Sequence, residues 1–237
     1  MNSTECHLDK FPFIVLTDIH ADPGALRAVM RAAYDPSTVK YRCFLGDAIG
    51  YGNDPTSVLD SLKDFDVAIK GNHELLALNQ VNPEWYSPHA RKSILAHADG
   101  LTPAQHEFIA AFADKFVSGK IALFHGNPES PLEYIFSAND ANNVFIHHPE
   151  YDLMFGGHTH IPRLVSCDKN SGDIDYHEIR QPYTSFNLDL DRYRYLVTCP
   201  SVTPGRFTGA LPGCCRLQHQ SATQKTLEFI FTILGNN

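Results

Sequence analysis

Lys70-Gly71-Asn72-His73-Glu74 follows a short apolar stretch, Val67-Ala68-Ile69, and precedes a helix-like run, Leu75-Leu76-Ala77-Leu78. A strand that breaks at a glycine and opens a helix sets its turn residues at the C-terminal edge of a sheet. Open α/β sheets keep their ligand sites there. Asn72 offers a neutral amide oxygen to a metal, and His73 offers a proton. One short motif is weak by itself, but four other strand ends in this chain also stop at metal-ligand residues.

Before this stretch, Phe11 to Thr17 is an apolar run of strand length ending at Asp18-Ile19-His20. Asp22-Pro23 then reads as a helix start, with Asp as the cap and Pro in the first turn. Val39 to Leu45 is a second strand, stopping at Gly46-Asp47. A glycine-bearing loop to Asn53 follows, and Asp54-Pro55 opens another helix. After the central stretch, the residues from Pro83 to about Lys115 read as a helical excursion, with helix signals at Ser87 and Thr102-Pro103. Lys120 to Phe124 is the fourth strand, ending at His125-Gly126. Ala138 to Ile146 reads as a short helix. Tyr151 to Phe155 is the fifth strand, ending at Gly156-Gly157-His158-Thr159-His160.

Beyond Pro162 the helical spacing disappears. Leu164 to Ser166, Ile174 to Ile179, Tyr193 to Thr198, Cys214 to Gln218 and Thr226 to Ile233 read as short strands. Lys169-Asn170-Ser171-Gly172-Asp173 makes a hairpin turn between the first two. The expected fold class is therefore α/β, with a mixed βα half, a helical insert between the third and fourth strands, and a mostly antiparallel tail. No linker or repeat divides the 237 residues, so residues 1–237 are expected to form one domain.

Composition narrows the function. The formal net charge is −8, and no basic block offers the clustered Lys and Arg that nucleic-acid binding needs. No apolar run approaches the roughly 18 residues of a membrane helix. The first ten residues are polar and do not read as a signal peptide. Six cysteines without a Cys-x-x-Cys pair suit free thiols in a reducing, cytoplasmic setting. The expected partner is a small molecule, with neither nucleic acid nor membrane.

The strand ends carry Asp18-x-His20, Asp47, Asn72-His73, His125 and His158-x-His160. Folding a sheet would gather them on one edge. Imidazole and carboxylate oxygen suit zinc, iron and manganese. Seven plausible ligands are too many for one tetrahedral ion and suit two ions sharing a carboxylate. Residues two apart in extended or turning backbone can point the same way. Asp18 and His20 can therefore grip one ion while Ile19 turns to the core.

The series Asp-x-His, Gly-Asp, Gly-Asn-His-Glu, His-Gly and Gly-His-Thr-His, in this order from Asp18 to His160, resembles the calcineurin-like metallophosphoesterase superfamily. Gly46-Asp47-Ala48-Ile49-Gly50-Tyr51-Gly52 resembles its bacterial and archaeal branch of diadenosine-tetraphosphatase-like and phosphodiesterase-like proteins. The resemblance implies two packed mixed β-sheets flanked by helices. It implies two divalent transition-metal ions (Mn, Fe or Zn). Asp18, His20 and His160 would hold the first, Asn72, His125 and His158 the second, and Asp47 would bridge them. His73 would give a proton to the leaving group. The implied reaction is hydrolysis of a phosphomonoester or phosphodiester by a metal-bridging hydroxide. A small phosphoester is the expected substrate, including a nucleotide or dinucleoside polyphosphate. Two alternatives stand beside this reading: a non-catalytic scaffold of the same fold, and a protein Ser/Thr phosphatase. Ser/Thr phosphatases carry an arginine in a Gly-Asp-x-x-Asp-Arg-Gly run, where this chain has Gly50-Tyr51-Gly52.

Other polar residues are expected to be structural. Glu74 reads as a carboxylate favouring a helix N-terminus, with a role in orienting a histidine as the alternative. Arg163 reads as a surface arginine, and His147-His148 as loop residues. His89, His97 and His106 read as solvated or half-buried, unless the insert forms a wall over the site. Tyr51 and Asn53 read equally as substrate contacts or turn packing.

Overall fold

A computed structural model describes residues 6–203, 211–219, 221 and 224–232. Its chain begins β1 (Phe13–Leu16), α1 (Pro23–Ala33), β2 (Tyr41–Phe44), α2 (Pro55–Leu62), β3 (Val67–Ala68) and α3 (Asn72–Ala77). The insert is α4 (Pro88–Gly100) and α5 (Pro103–Ala110). Then come β4 (Phe116–Ser118), β5 (Ile121–Leu123), α6 (Ala138–His147) and β6 (Leu153–Gly156). The tail is β7 (Arg163–Asp168), β8 (Ile174–Glu178), β9 (Tyr183–Asp189), β10 (Tyr193–Thr198), β11 (Gly213–His219) and β12 (Gln224–Phe231).

The strands form two six-stranded sheets, ordered β3-β2-β1-β11-β12-β9 and β4-β5-β6-β10-β7-β8. In the first, β1, β2 and β3 run parallel, and β11 closes on β1 antiparallel with Val15 opposite Cys215. In the second, β5, β6 and β10 run parallel. Both sheets are mixed, as the resemblance implied.

Period-two alternation along β1 explains the layering. Phe13 and Val15 face the second sheet and share a core with Leu123, Phe155 and Val197. The Phe13 and Phe155 rings meet edge to face across that gap at 5.5 Å. Ile14 and Leu16 face the other way, onto α1, α2 and the insert helices. A third cluster packs Phe124, Met154 and Val165 against α6. Strands covered on both faces read as unbroken apolar runs, which is why β1 and β6 were legible. Burying each large apolar side chain contributes about 1.5–3 kcal/mol.

The helix starts agree with the expected caps. Asp22 accepts from the Ala25 amide, Asp54 from Ser57 and Thr102 from Gln105, each with proline in the first turn. Such a cap contributes about 1 kcal/mol.

Two strands were not foreseen. β4 forms a hairpin with β5 through Gly119, which sits at φ +58°. β9 pairs with β12 at an edge, and its sequence, Tyr-Thr-Ser-Phe-Asn-Leu-Asp, has only Phe186 and Leu188 as aliphatic or phenyl positions. An edge strand with one wet face gives little apolar signal. The last expected strand is present as β12 to Phe231; its expected end, Ile233, lies outside the described residues, as do residues 1–5.

Candidate metal centre

The carboxyl ends of β1, β2, β5 and β6, with the start of α3, deliver all eight expected site residues to one edge. Every one is buried: Asp18, His20, Asp47, Asn72, His73, His125, His158 and His160. Charged groups are rarely buried unless paired or bound to metals.

The ligand-type atoms fall into overlapping groups. Asp18, His20 and His160 bring one ligand atom each within 4.8 Å of one another, and so do Asp47, His125 and His158. Asn72 joins the second group, its Oδ1 3.1 Å from His125 Nε2. Asp47 also groups with His20 and His73, so its carboxylate lies between the two sets. His160 Nε2 is 3.0 Å from Asp18 Oδ1. His73 Nε2 is 3.5 Å from Asp47 Oδ2.

Backbone geometry aims these side chains. Asp18, His20, Asp47, His158 and His160 all lie in the left-handed region, at φ between 50° and 64°. That conformation costs a non-glycine residue on the order of 1–3 kcal/mol and concentrates at functional sites. Bonds between neighbouring turns hold it: the Asp18 amide donates to the Gly46 carbonyl and the His20 amide to the Asp47 carbonyl, each at 2.9 Å. Gly71 is different. Its φ is −89°, so the sharp turn does not require glycine; a Cβ there would collide with Asp47 Oδ1.

Hydrogen bonds orient the rings. His125 Nδ1 lies 2.7 Å from the Leu45 carbonyl and His73 Nδ1 2.7 Å from that of Ile49. A carbonyl can only accept, so each Nδ1 carries hydrogen and each Nε2 faces the centre. This outward anchoring of the ring is usual for metal-binding histidines. Asp18 Oδ2 accepts from Thr17 Oγ1 at 2.7 Å and from the His158 amide at 3.1 Å. Asp47 Oδ1 accepts from the His73 amide at 2.9 Å. The other oxygens, Asp18 Oδ1 and Asp47 Oδ2, are buried without a well-aligned hydrogen bond.

The donor set fits divalent cations. His20 Nε2 and His160 Nε2 meet at 3.1 Å, and His125 Nε2 and His158 Nδ1 at 3.2 Å. Converging imidazole nitrogens beside carboxylate oxygens are what a cation with N/O preference takes. The charges also respond to one another. Burial pushes the Asp47 carboxyl up, but the His73 and His125 imidazoles hold it well below its ordinary value. Burial opposes a charge on His125, yet Asp47 raises it to about 9.

Three readings of the sequence need correction. Glu74 is more than a helix-start carboxylate, and it orients backbone instead of a histidine. It is fully buried: Oε2 accepts from the amides of Asp47 and Gly71, both at 2.8 Å, and Oε1 from Ala48 at 2.9 Å. Burial and the Asp47 charge push it up to about 7. Arg163 is buried, donates from Nη1 to the Ile135 carbonyl and lies over the Tyr176 ring. His147 ends α6, and the adjacent His148 is buried and paired with Glu129 at 3.0 Å.

The insert does form a wall. His89 packs near Tyr51, whose ring touches those of His20 and His73. A cleft of about 480 Å³ opens there, lined by His20, Tyr51, Ser87, His89 and His160. His97 Nδ1 accepts from the Gly50 amide at 2.9 Å, and Ser93 Oγ accepts from that of Tyr51. Tyr86 donates to the Asn72 carbonyl at 2.6 Å. His106 bonds the Ala98 carbonyl within the insert. Thr17, Tyr86 and Tyr134, whose ring stacks on His158 at 3.8 Å, were not foreseen. Only Thr17 had a signal, its adjacency to Asp18.

Fold and site together define an α/β sandwich of two mixed sheets with clustered N/O donors that could hold metal. The chain belongs to the calcineurin-like phosphoesterase family, whose sequence pattern it matches over residues 11–162. It is 29% identical, over 81% of its own length and 76% of the other's, to an uncharacterized protein of Methanocaldococcus jannaschii. Among solved structures it is similar to a metallophosphoesterase from Sphaerobacter thermophilus, with a TM-score of 0.76, 21% identity, and 94% and 88% of the two chains covered. It also resembles a hypothetical protein from Pyrococcus horikoshii, with a TM-score of 0.65, 14% identity, and 94% and 89% covered. No helix among the described residues is long and apolar enough to cross a membrane.

Proposed function

We propose that the chain hydrolyses a small phosphomonoester or phosphodiester at a centre of two divalent transition-metal ions, with nucleotides and dinucleoside polyphosphates among its candidate substrates. The observation that carries this reading is the position of Asp47, whose carboxylate lies within 4.8 Å of ligand atoms on both sides, His20 on one and His125 and His158 on the other. Asp18, His20 and His160 would hold one ion, Asn72, His125 and His158 the other, and Asp47 both. When bound, such a pair supplies Lewis acidity and an activated water for in-line attack at phosphorus.

The residues supply the rest. His73 stands beside Asp47 with Nδ1 committed to Ile49, so Nε2 is the atom that would deliver a proton to the departing alkoxide. General-acid help of this kind contributes typically 10²–10⁴-fold. The insert wall bounds one side of the cleft beside His20 and His160. Six buried free cysteines suit a reducing, cytoplasmic setting.

The test pairs elemental analysis with a phosphoester panel. About two equivalents of Mn, Fe or Zn and metal-dependent hydrolysis are expected. Failure to take up any divalent metal would sink the proposal. Metal uptake without hydrolysis of any ester would favour a non-catalytic scaffold.

A further inference from the structure

An aromatic stack climbs from the metal centre to the surface. The Tyr134 ring lies on the imidazole of His158, with centroids 3.8 Å apart and planes 17° from parallel. The Phe136 ring lies on Tyr134 at 4.6 Å and 14°. Both rings are open to solvent, Tyr134 at 37% and Phe136 at 45%. Buttressing a metal-site histidine accounts for Tyr134. It does not account for a second, more exposed ring stacked beyond it.

The backbone beneath this stack is fixed. Ile135, between the two rings, is buried, and Arg163 donates to its carbonyl at 3.2 Å. The Phe136 amide donates to Asp140 Oδ2, and the Tyr176 hydroxyl donates to the Phe136 carbonyl, each at 3.0 Å. Residues two apart in an extended segment share a side, so anchoring Ile135 inward turns Tyr134 and Phe136 outward together. The rings are exposed yet held, which lowers the ordering cost of a further ring stacking on them.

A groove of about 300 Å³ runs from Tyr134 past Asn143 to His147. Its carboxylates are already engaged, Glu129 with His148, Glu133 with Asn127 and Asp140 with the Ser137 amide, while amide and imidazole side chains can both donate and accept hydrogen bonds. A planar ligand with polar edges suits this setting better than an alkyl or phenyl group.

We propose that Tyr134 and Phe136 form a base-stacking platform, so that the esters this site takes are nucleoside phosphates. This rests on the phosphoesterase reading. The phosphate engages the metal centre, and the nucleobase packs on the exposed rings of Tyr134 and Phe136. Aromatic rings bind bases through their π-faces with little sequence preference, so the platform selects a nucleoside without fixing which base.

The test compares nucleoside phosphoesters with alkyl phosphoesters, each as monoester and diester, on the metal-loaded protein. Phe136→Ala should lower kcat/KM for the nucleoside esters at least about fivefold. Metal content and activity on the alkyl esters should stay within about twofold, and Phe136→Trp should restore the nucleoside preference. Adenosine binding to metal-free protein, measured by equilibrium dialysis, should weaken by a similar factor in Phe136→Ala. Equal losses on both ester classes, or no loss on either, would overturn the platform. Were the wild type to cleave no ester, the hydrolase reading would fall. Adenosine binding would still decide the platform, since binding that is absent or indifferent to Phe136→Ala removes it.

Discussion

The two carboxylates of the centre are held in opposite ways. Asp18 is tied across the sandwich. Its carbonyl accepts from Ser201 Oγ at 2.9 Å and Thr203 Oγ1 at 3.1 Å, and its Oδ2 from the His158 amide. All three partners come from segments that follow strands of the second sheet. Asp47 is tied within the first sheet. Glu74 gathers its amide with those of Ala48 and Gly71, and the His73 amide fixes its Oδ1. Asp18 therefore depends on how the sheets dock, whereas Asp47 depends on one strand-turn-helix. Both halves of the centre need both sheets, since His160 joins Asp18 while His125 and His158 join Asp47. What differs is the carboxylate: Asp47 has a backbone frame of its own within the first sheet, and Asp18 does not.

Substituting each carboxylate tests that contrast most severely. Asp47→Asn should cost both ions together and lower hydrolysis on the order of a thousandfold or more, since metal stabilisation of the transition state amounts to several kcal/mol. Asp18→Asn should cost chiefly the ion shared with His20 and His160, leaving about one equivalent bound. Metal-to-protein ratios after dialysis distinguish the two. A full equivalent retained by Asp47→Asn would remove its bridging place.

His73 sharpens the comparison from a different side, because it touches Asp47 and not Asp18 among the carboxylates. His73→Gln should keep both ions while lowering kcat by about 10²–10⁴-fold on esters with poor leaving groups. Esters whose leaving group departs unprotonated should lose much less. A leaving-group series gives the answer: a uniform loss would make His73 a ligand, a role its grouping with His20 and Asp47 also allows by distance.

Much of this was legible in the chain because the centre is built from strand ends. Apolar runs such as Phe13 to Leu16 and Leu153 to Phe155 announce buried parallel strands, and the residue after such a run must lie at the sheet edge. All eight expected residues therefore converged. What stayed hidden depends on contacts distant in sequence. β9 is a half-wet edge strand with a weak apolar pattern. Arg163 looks like any surface arginine until the loop carrying Ile135 folds over it. Tyr134 reaches His158 across 24 residues, and nothing local to either position reveals the stack. Glu74 does sit at its helix start as expected, but that local reason hides its further partners at Asp47 and Ala48, which lie 27 and 26 residues earlier.

Glu74 also gives the smallest and most specific test of the Asp47 frame. Its two oxygens accept three backbone amides, two on Oε2 and one on Oε1. Glutamine has the same shape but only one acceptor oxygen. If that oxygen keeps Asp47 and Gly71, the glutamine NH2 faces the Ala48 N–H, donor against donor. If it turns to Ala48, two donors are left facing NH2. Either way at least one buried amide loses its acceptor, a cost of about 1–3 kcal/mol. Glu74→Gln should therefore lower unfolding stability by that amount. Because Asp47 is displaced and would serve both ions, it should weaken the affinity for each by about 10–100-fold. Stepwise metal titration measures both affinities. Weakened metal binding with stability unchanged would mean that Glu74 acts through its charge and not through the backbone it holds.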